Sequence, residues 1–263
     1  MSGNPGWDPG LYLHFGNERL QPALDLIARL PPARQDARVV DLGCGAGNAL
    51  PALAAWLPGA IVRGVDGSAA MLAKARATGF ATEQADIATW RPTAPVDVLF
   101  SNAALHWLPD HRALFPRLLG CLAPGGVLAV QMPAMHAQPL RAMQDRIAAD
   151  GPWASRLAGV ASAPPLPDAD EYFGLLRPRV AALDLWFTEY MHVLRGPDPV
   201  VQWATGSSLR PYLDALAGES GLREGFVAAY AEAMRAAYPA RAAEGADPVV
   251  LLPFRRFFIL ARL

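Results

Sequence analysis

The sequence predicts an α/β protein with a seven-stranded sheet, parallel in the first half of the chain, and a helical insertion before its last strand. Three observations support this prediction. Short β-branched runs alternate with alanine-rich stretches through the first half of the chain, and a glycine-rich turn directly follows the first of these runs. In the second half, a helical stretch lies between two late apolar runs. Strands and helices that alternate in this way predict a parallel sheet with right-handed crossovers.

The first half is expected to contain five strands and three helices. Pro58-Gly59 and Pro124-Gly125-Gly126 give helix stop signals, and Ser68 is a helix-capping residue. The strands are expected at residues 38–42, 60–66, 81–86, 96–102 and 127–132, and the helices at 48–56, 68–77 and 111–122.

The second half is less regular. It is expected to contain a helix at 138–149, a Pro/Ala-rich loop at 159–167, a strand at 181–190, two or three helices at 197–243 and a last strand at 253–263. We therefore divide the chain into a lid segment with the first helix (1–36), a sheet core (37–195), a helical cap insertion (196–252) and the last core strand (253–263). Insertions at the carboxyl edge of such a sheet often shape the ligand site.

Composition narrows the classes of function. The chain has 263 residues and a net charge of −1, with no basic run of the kind that nucleic acids bind. Cys44 and Cys121 have neither metal-site nor CxxC spacing, and no apolar run is long enough to span a bilayer. Residues 1–13 lack the pattern of a signal peptide. We expect a cytoplasmic protein that forms a monomer or a weak homodimer, without metal, nucleic-acid or membrane partners.

The strongest motif is Asp41-x-Gly43-x-Gly45-x-Gly47, directly after a buried strand. Glycines at alternate positions let the backbone turn sharply and approach a ligand. The spacing differs from the GxGxxG of NAD-binding proteins, and Asp41 would repel a pyrophosphate. The same carboxylate can accept a hydrogen bond from the ammonium of S-adenosylmethionine (SAM), so SAM is the predicted cofactor. Cys44 is interpreted as a small residue in a tight turn rather than a nucleophile.

Further cofactor contacts are expected where the later strands end. Asp66 is placed to bind ribose hydroxyls, although an acid there also suits a helix N-terminus. Asp86 can accept from the adenine amine and Ile87 can cover the ring, unless Asp86 is only a turn residue. The remaining expected contacts lie in the glycine turn, beside these positions or beside the sulfonium: Gly43, Cys44, Gly45, Gly67, Met71, Asn102, Ala103 and Trp107. Core packing is an equal alternative for Trp107.

Several of these segments resemble class I, Rossmann-like SAM-dependent methyltransferases, and in particular the trans-aconitate methyltransferase family. The similarity runs from about Pro9 to the C-terminus and is weakest at 138–183. The resemblance implies methylation of one carboxylate of trans-aconitate to a monomethyl ester. It rests on the motif around Asp41, on Gly64-Val65-Asp66, on Ala85-Asp86-Ile87, on the segment Leu122 to Gly126, and on residues 9–15, 102–111, 127–133, 209–213 and 253–258.

A carboxylate acceptor is already ionised at neutral pH, so no catalytic base or triad is expected. A polycarboxylate instead requires positive charge and hydrogen-bond donors, for which arginine gives a bidentate fork. The first candidate is Arg210, with a helix-capping surface arginine as the alternative. The other candidates for the acceptor site are Tyr12 and His14 in the lid segment, His106, Trp203 and Arg255.

Three alternatives stay open beside carboxyl methylation. The acceptor can be another oxygen or nitrogen of a metabolite, in which case His14 or His106 would be the general base. A SAM-binding module without activity is the second alternative, although the intact glycine loop and its acids argue against it. An NAD-dependent oxidoreductase is the third, and the loop spacing and Asp41 argue against that.

Overall fold

The computed structural model describes residues 16–160, 162–242 and 247–263. Seven strands form one sheet in the order β3-β2-β1-β4-β5-β7-β6. The pairs β1–β2, β1–β4, β2–β3 and β4–β5 are parallel, and β7 is antiparallel to both β5 and β6. The predicted fold class is therefore confirmed, including the helical insertion before the last strand.

The strands and helices are numbered in chain order. The strands are β1 (Arg38–Leu42), β2 (Ile61–Asp66), β3 (Ala81–Gln84), β4 (Val96–Asn102), β5 (Leu122–Pro133), β6 (Ala182–Leu194) and β7 (Val250–Arg262). The helices are α1 (Gly16–Ile27), α2 (Leu50–Trp56), α3 (Ala69–Ala77), α4 (His111–Leu119), α5 (Pro139–Ala149), α6 (Ala154–Leu157), α7 (Ala169–Leu176), α8 (Pro199–Thr205), α9 (Arg210–Ala215) and α10 (Ser220–Ala237). Short 3-10 turns occupy Leu105–Trp107 and Arg177–Arg179.

The sheet buries a separate apolar layer on each face. On one face, the strand side chains pack against α4 and α7, with Phe115 and Tyr172 among the fully buried residues. On the other face, Phe100 and Phe258 pack against α1 and α2. Because adjacent residues of a strand point to opposite faces, this two-sided burial explains the nearly continuous apolar runs of β1 and β4.

A third apolar cluster holds the helical part of the chain together. It joins α5 and α6 to α8, α9 and α10 and includes Trp153, Trp203 and Phe226. Leu194, the last residue of β6, and Leu252, near the start of β7, belong to the same cluster. The helical part therefore contains residues from 135 onward as well as the insertion at 196–252, and it stands on the antiparallel β6–β7 ladder.

The main differences from the predicted elements lie at boundaries. β6 and β7 pair without interruption from Ala182–Arg262 to Leu194–Val250, so both strands are longer than their local sequence suggests. Helix α4 ends at Leu119 rather than at 122 because β5 begins at Leu122 and carries the Pro-Gly-Gly segment as an irregularity. The short helices α6 and α7 were not predicted, since each is too short to show a helical repeat.

No helix within the described residues is long and apolar enough to cross a membrane.

Candidate functional site

The glycine-rich turn after β1 adopts left-handed backbone conformations that residues with a Cβ rarely adopt. Gly43, Gly45 and Gly47 all have positive φ, at 80°, 54° and 82°. A Cβ on Gly43 would lie 2.2 Å from the Cβ of Ala104, so that glycine also permits close contact with the segment after β4. A Cβ on Gly45 would meet nothing within 4 Å. The turn therefore presents open space at Gly45, where a ligand can approach the backbone.

Two ionisable groups are buried beside this turn. Asp41 is 2% exposed, and burial together with the nearby carboxylate of Asp66 raises the pKa of Asp41 to about 8. Burial also raises the pKa of the Cys44 thiol, and the charges of Asp41 and Asp66 raise it further. A thiol held neutral in this way is not an activated nucleophile. A cationic group placed near Asp41 would favour its ionised form.

Asp66 is positioned by the turn and by the start of α3. Its Oδ2 accepts from the backbone N–H of Gly45 at 2.9 Å, and its Oδ1 accepts from the N–H of Ser68 at 2.8 Å. A carboxylate oxygen has two lone pairs, so both oxygens can still accept from ligand hydroxyls. Ser68 caps α3 by accepting from the N–H of Met71 at 3.3 Å.

The expected adenine contacts lie along the same edge of the sheet. Asp86 is exposed, and its Oδ1 accepts from the N–H of Ala88 at 2.9 Å, which fixes the turn after β3. Ile87 reaches the glycine turn: its Cδ1 would lie 3.7 Å from a Cβ on Gly43. Gly67 lies close to the backbone of the same turn, since a Cβ there would lie 3.7 Å from the carbonyl oxygen of Ala85.

The end of β4 has a strained backbone and unpaired polar atoms. Ala103 adopts a φ of 53°, which costs a residue with a Cβ free energy on the order of 1–2 kcal/mol. Asn102 Oδ1 is buried, and no described residue gives it a hydrogen bond. Gln131, which is next to Asn102 in the β4–β5 register, is fully buried, and neither of its amide atoms has a hydrogen-bond partner in the part of the chain that the structure describes. Such atoms are rare in native proteins unless a ligand or water meets them.

A cavity of about 460 Å³ opens beside this strand end, within the usual size range of ligand pockets. Its wall is formed by the segment after β4, the segment after β5, the loop before α7, parts of α5 and α8, and residues of β7. The cavity therefore lies between the carboxyl edge of the sheet and the helical part of the chain. Ala103, His106 and Trp107 form the wall on the sheet side.

The cavity carries an excess of positive charge. Among the described residues, Arg141, Arg255 and Arg256 line it, against a single acid, Asp168. Arg141 is 7% exposed and Arg256 is 4% exposed, whereas Asp168 is exposed and caps α7 by accepting from the N–H of Glu171. Buried guanidinium groups around one cavity favour an anionic ligand.

His106 is neutral in this cavity. Burial and the charges of Arg256 and Arg141 lower the pKa of His106 to about 3. Its Nδ1 is buried, and no described residue gives it a hydrogen bond. A neutral imidazole can donate one hydrogen bond to an anion, but it is a weak base at neutral pH.

A buried pair holds the turn that carries His106. His111 Nε2 lies 3.0 Å from the carbonyl oxygen of Leu105, and His111 Nδ1 is bonded to the hydroxyl of Tyr172. Since the carbonyl can only accept, Nε2 carries the proton and Nδ1 accepts from Tyr172. The His111 ring of α4 thus links the 3-10 turn to α7, through one hydrogen bond to Leu105 and one to Tyr172.

The other predicted acceptor-site residues divide into three groups. Trp203 and Arg255 line the cavity, Trp203 stacking on His192 at 4.5 Å and Arg255 lying 4.0 Å from the ring centre of Phe187. Arg210 is not among the described residues that line it, because its guanidinium pairs with Asp214 at 2.8 Å on the surface of α9. Tyr12 and His14 lie outside the described residues.

Sequence reasoning missed the two buried arginines and Gln131. Two of them had a signal: Gln131 is the only polar side chain in the apolar run 127–132, and Arg256 stands in the apolar last strand. Arg141 had none, since an arginine in the first turn of a helix is usually at the surface. In the structure it is 7% exposed and donates to Gln144 and to the carbonyl oxygen of Ala163.

The chain is similar in sequence to known methyltransferases. A family model described as a methyltransferase domain matches residues 12–180. A trans-aconitate 2-methyltransferase of Methylobacterium nodulans is 46% identical over 259 residues, covering 97% of this chain and 98% of the relative. Another from Azoarcus sp. is 46% identical over 259 residues, covering 98% and 99%.

The fold is shared with more distant methyltransferases of known structure. Phosphoethanolamine N-methyltransferase 2 of Haemonchus contortus, in complex with phosphomonomethylethanolamine and S-adenosylhomocysteine, matches with a TM-score of 0.57 at 16% identity. The match covers 96% of this chain and 56% of that chain. A likeness at this low identity concerns the fold alone.

Proposed function

Because the chain belongs to the trans-aconitate methyltransferase family of class I SAM-dependent methyltransferases, we propose that it methylates one carboxylate of trans-aconitate, giving a monomethyl ester and S-adenosylhomocysteine. The observation that carries this proposal is the arginine-lined cavity beside the end of β4. The relatives supply the name of the acceptor, and the cavity supplies the charge that a polycarboxylate needs.

The residues around the glycine turn fit SAM. The open space at Gly45 admits a ligand against the backbone, and Asp66 keeps free lone pairs for ribose hydroxyls. Asp41 stands buried behind the turn, where an ammonium or a water that it polarises can be bound. Asp86 and Ile87 would meet the adenine, and Asn102 and Ala103 would lie beside the sulfonium. Met71 and Gly67 complete this wall.

Bound SAM would supply an electrophilic methyl group on a cationic sulfur, which a carboxylate oxygen would take while the sulfur left as the neutral thioether of S-adenosylhomocysteine. No proton is transferred, so the chain needs to orient rather than to protonate its ligands. Orientation of two bound reactants can supply on the order of 7–11 kcal/mol of the barrier. The fixed turn Leu105–Trp107 and the strained Ala103 are suited to this task.

The arginines and His106 are proposed to hold the acceptor. Arg255 and Arg256 belong to β7 and reach the cavity from the sheet, whereas Arg141 reaches it from α5. His106 can donate one hydrogen bond from its neutral ring. Trp107 and Trp203 would exclude water from the methyl-transfer path, which strengthens the arginine–carboxylate attraction.

The low pKa of His106 argues against an acceptor that must lose a proton. Methylation of a hydroxyl or an ammonium requires a base with a pKa near the working pH. At about 3, the pKa of His106 lies far below that range, because burial and then the charges of Arg256 and Arg141 lower it. A carboxylate avoids the requirement, since it is ionised above a pH of about 4.

For the rest of the molecule, we propose a cytoplasmic enzyme with a small-molecule acceptor, as a monomer or a weak homodimer. We also propose that the functional cap is larger than residues 196–252. It includes α5 and α6, which share an apolar cluster with α8, α9 and α10.

Steady-state kinetics with purified protein and SAM test the proposed reaction. The acceptors are trans-aconitate, cis-aconitate, fumarate and matched amino and hydroxy compounds, with release of S-adenosylhomocysteine as the readout. We expect kcat/KM for trans-aconitate to exceed the value for every amine or alcohol. Asp66→Asn is the control for cofactor-dependent turnover. A higher kcat/KM for an amine or alcohol would contradict the proposal.

A further inference from the structure

Arg141 carries a buried positive charge that no acid among the described residues balances. Its Nη1 donates to Gln144 Oε1 at 2.7 Å and its Nη2 donates to the carbonyl oxygen of Ala163 at 3.2 Å. Both partners are neutral, and no carboxylate among the described residues forms an ion pair with it. Asp145, one turn further along α5, instead accepts from the hydroxyl of Tyr212. A buried and unpaired charge is costly, so it indicates that an anion completes the site.

Gln144 fixes this arginine within the helical part of the chain. Gln144 is fully buried, and its Nε2 donates to Ser208 Oγ at 2.7 Å and to Tyr230 Oη at 3.3 Å. Tyr230 in turn donates to the carbonyl oxygen of Leu140 at 2.8 Å. These contacts define which end of the Gln144 amide faces Arg141, because only its oxygen can accept from a guanidinium.

We infer that Arg141, held by the neutral side chain of Gln144, anchors a carboxylate of the acceptor that is not methylated. This inference rests on the proposed function and names the recognition of the substrate class. Ala103 and Trp107 line the sheet side of the cavity, beside the proposed sulfonium position, whereas Arg141 lines the helical side. A carboxylate at Arg141 therefore leaves another carboxylate of the same molecule at the sheet side, where methyl transfer occurs.

The choice of glutamine at 144 is central to this anchor. A glutamate there would form an ion pair with Arg141 and neutralise the charge that the acceptor needs. Glutamine orients the guanidinium by a hydrogen bond and leaves its charge for the ligand. Gln144→Glu changes one group of nearly the same shape, and Ser208, which accepts from Gln144 Nε2, carries a hydroxyl that can rotate to donate to a carboxylate. Gln144→Glu is therefore a test of charge more than of packing.

The experiment measures binding of two non-reacting acids to the protein saturated with S-adenosylhomocysteine. Propane-1,2,3-tricarboxylate and glutarate differ by one carboxylate, and isothermal titration calorimetry gives the ratio of their dissociation constants. We expect the wild-type protein to prefer the tricarboxylate by about 10- to 100-fold, the usual strength of a charged hydrogen bond. In Gln144→Glu and Arg141→Met the ratio should fall to about 1–3-fold on the same scale.

Two further variants control for charge and folding. Gln202→Glu adds the same charge on α8, where the amide donates to the carbonyl oxygen of Pro197 outside the cavity lining, and it should keep the wild-type ratio. Arg141→Lys keeps the positive charge and should retain most of the wild-type preference for the tricarboxylate. An equal ratio in Arg141→Met and Gln202→Glu, or no tricarboxylate preference in the wild type, overturns the inference. Binding is measured without turnover. A protein that shows these ratios but fails to methylate trans-aconitate would therefore contradict the proposed reaction and leave the role of Arg141 intact.

Discussion

Substitution of Gly43 by alanine tests whether the contact between the glycine turn and Ala104 affects binding in the acceptor cavity. Two costs follow from the structure. Alanine at a φ of 80° costs about 1–2 kcal/mol in backbone strain. Its Cβ would also lie 2.2 Å from the Cβ of Ala104, and such overpacking costs typically about 1–3 kcal/mol. The sum predicts that the free energy of unfolding falls by about 2–5 kcal/mol.

Gly45→Ala is the matched control. Gly45 also has a positive φ, but a Cβ there meets nothing within 4 Å, so only the strain of about 1–2 kcal/mol applies to the ligand-free protein. Urea denaturation gives the two free energies of unfolding, and titration calorimetry gives the affinity for S-adenosylhomocysteine. We expect both variants to lose cofactor affinity, Gly45→Ala because its methyl group enters the proposed ligand space.

The clash at Gly43 should also move Ala104 and the turn that carries His106. Gly43→Ala is therefore expected to weaken binding of propane-1,2,3-tricarboxylate as well, while Gly45→Ala leaves it within about twofold, a difference below 0.5 kcal/mol. If Gly43→Ala is no less stable than Gly45→Ala, the contact with Ala104 does not exclude a side chain at position 43. If Gly43→Ala keeps tricarboxylate affinity, the two sites are not coupled through this contact.

Three further outcomes are expected. Asp41→Asn should flatten the pH dependence of the free energy of unfolding. In the wild type the pKa of Asp41 is raised to about 8, so stability that is present below pH ~4 is lost as the pH rises towards 8. Melting temperatures of both proteins from pH 5 to 8.5 measure the difference. Asp66→Asn should weaken S-adenosylhomocysteine binding by about 10- to 100-fold in calorimetry, because a ribose hydroxyl loses its charged acceptor; unchanged affinity would remove Asp66 from the ribose site. Arg210→Ala should leave the acceptor KM within about twofold and cost less than about 0.5 kcal/mol, since its half-exposed ion pair with Asp214 lies outside the cavity lining; a large rise in KM would restore the original prediction for Arg210.

The elements of the sheet core could be predicted because their signals are local. β1 has the predicted bounds, and α3 begins after its predicted cap, Ser68. The lengths of β6 and β7 could not be predicted, since their ends are set by pairing with each other over 13 residues. For the same reason, the grouping of α5 with α10 depends on contacts between residues that are far apart in sequence.

The proposed cofactor side of the site rests on strand ends and the glycine turn, which are visible in the sequence. The acceptor side does not. Arg210 was chosen from its motif, but a partner four residues away, Asp214, holds it at the surface. Arg141 has no sequence feature that separates it from other helical arginines, and only its neutral partners Gln144 and Ala163 reveal an unpaired charge. Residue types predict chemistry well, but the partners of a charge depend on the fold.

In the proposed reaction, the methyl group of SAM is transferred to a carboxylate oxygen of trans-aconitate. NMR of the reaction with SAM labelled with carbon-13 at the methyl group tests this transfer. We expect one new ester methyl signal, correlated through three bonds to a carboxyl carbon of trans-aconitate, and its loss in Arg141→Met at low acceptor concentration. A labelled methyl group that stays on sulfur in the presence of trans-aconitate, or that appears on nitrogen or carbon, would show that the proposed reaction is wrong.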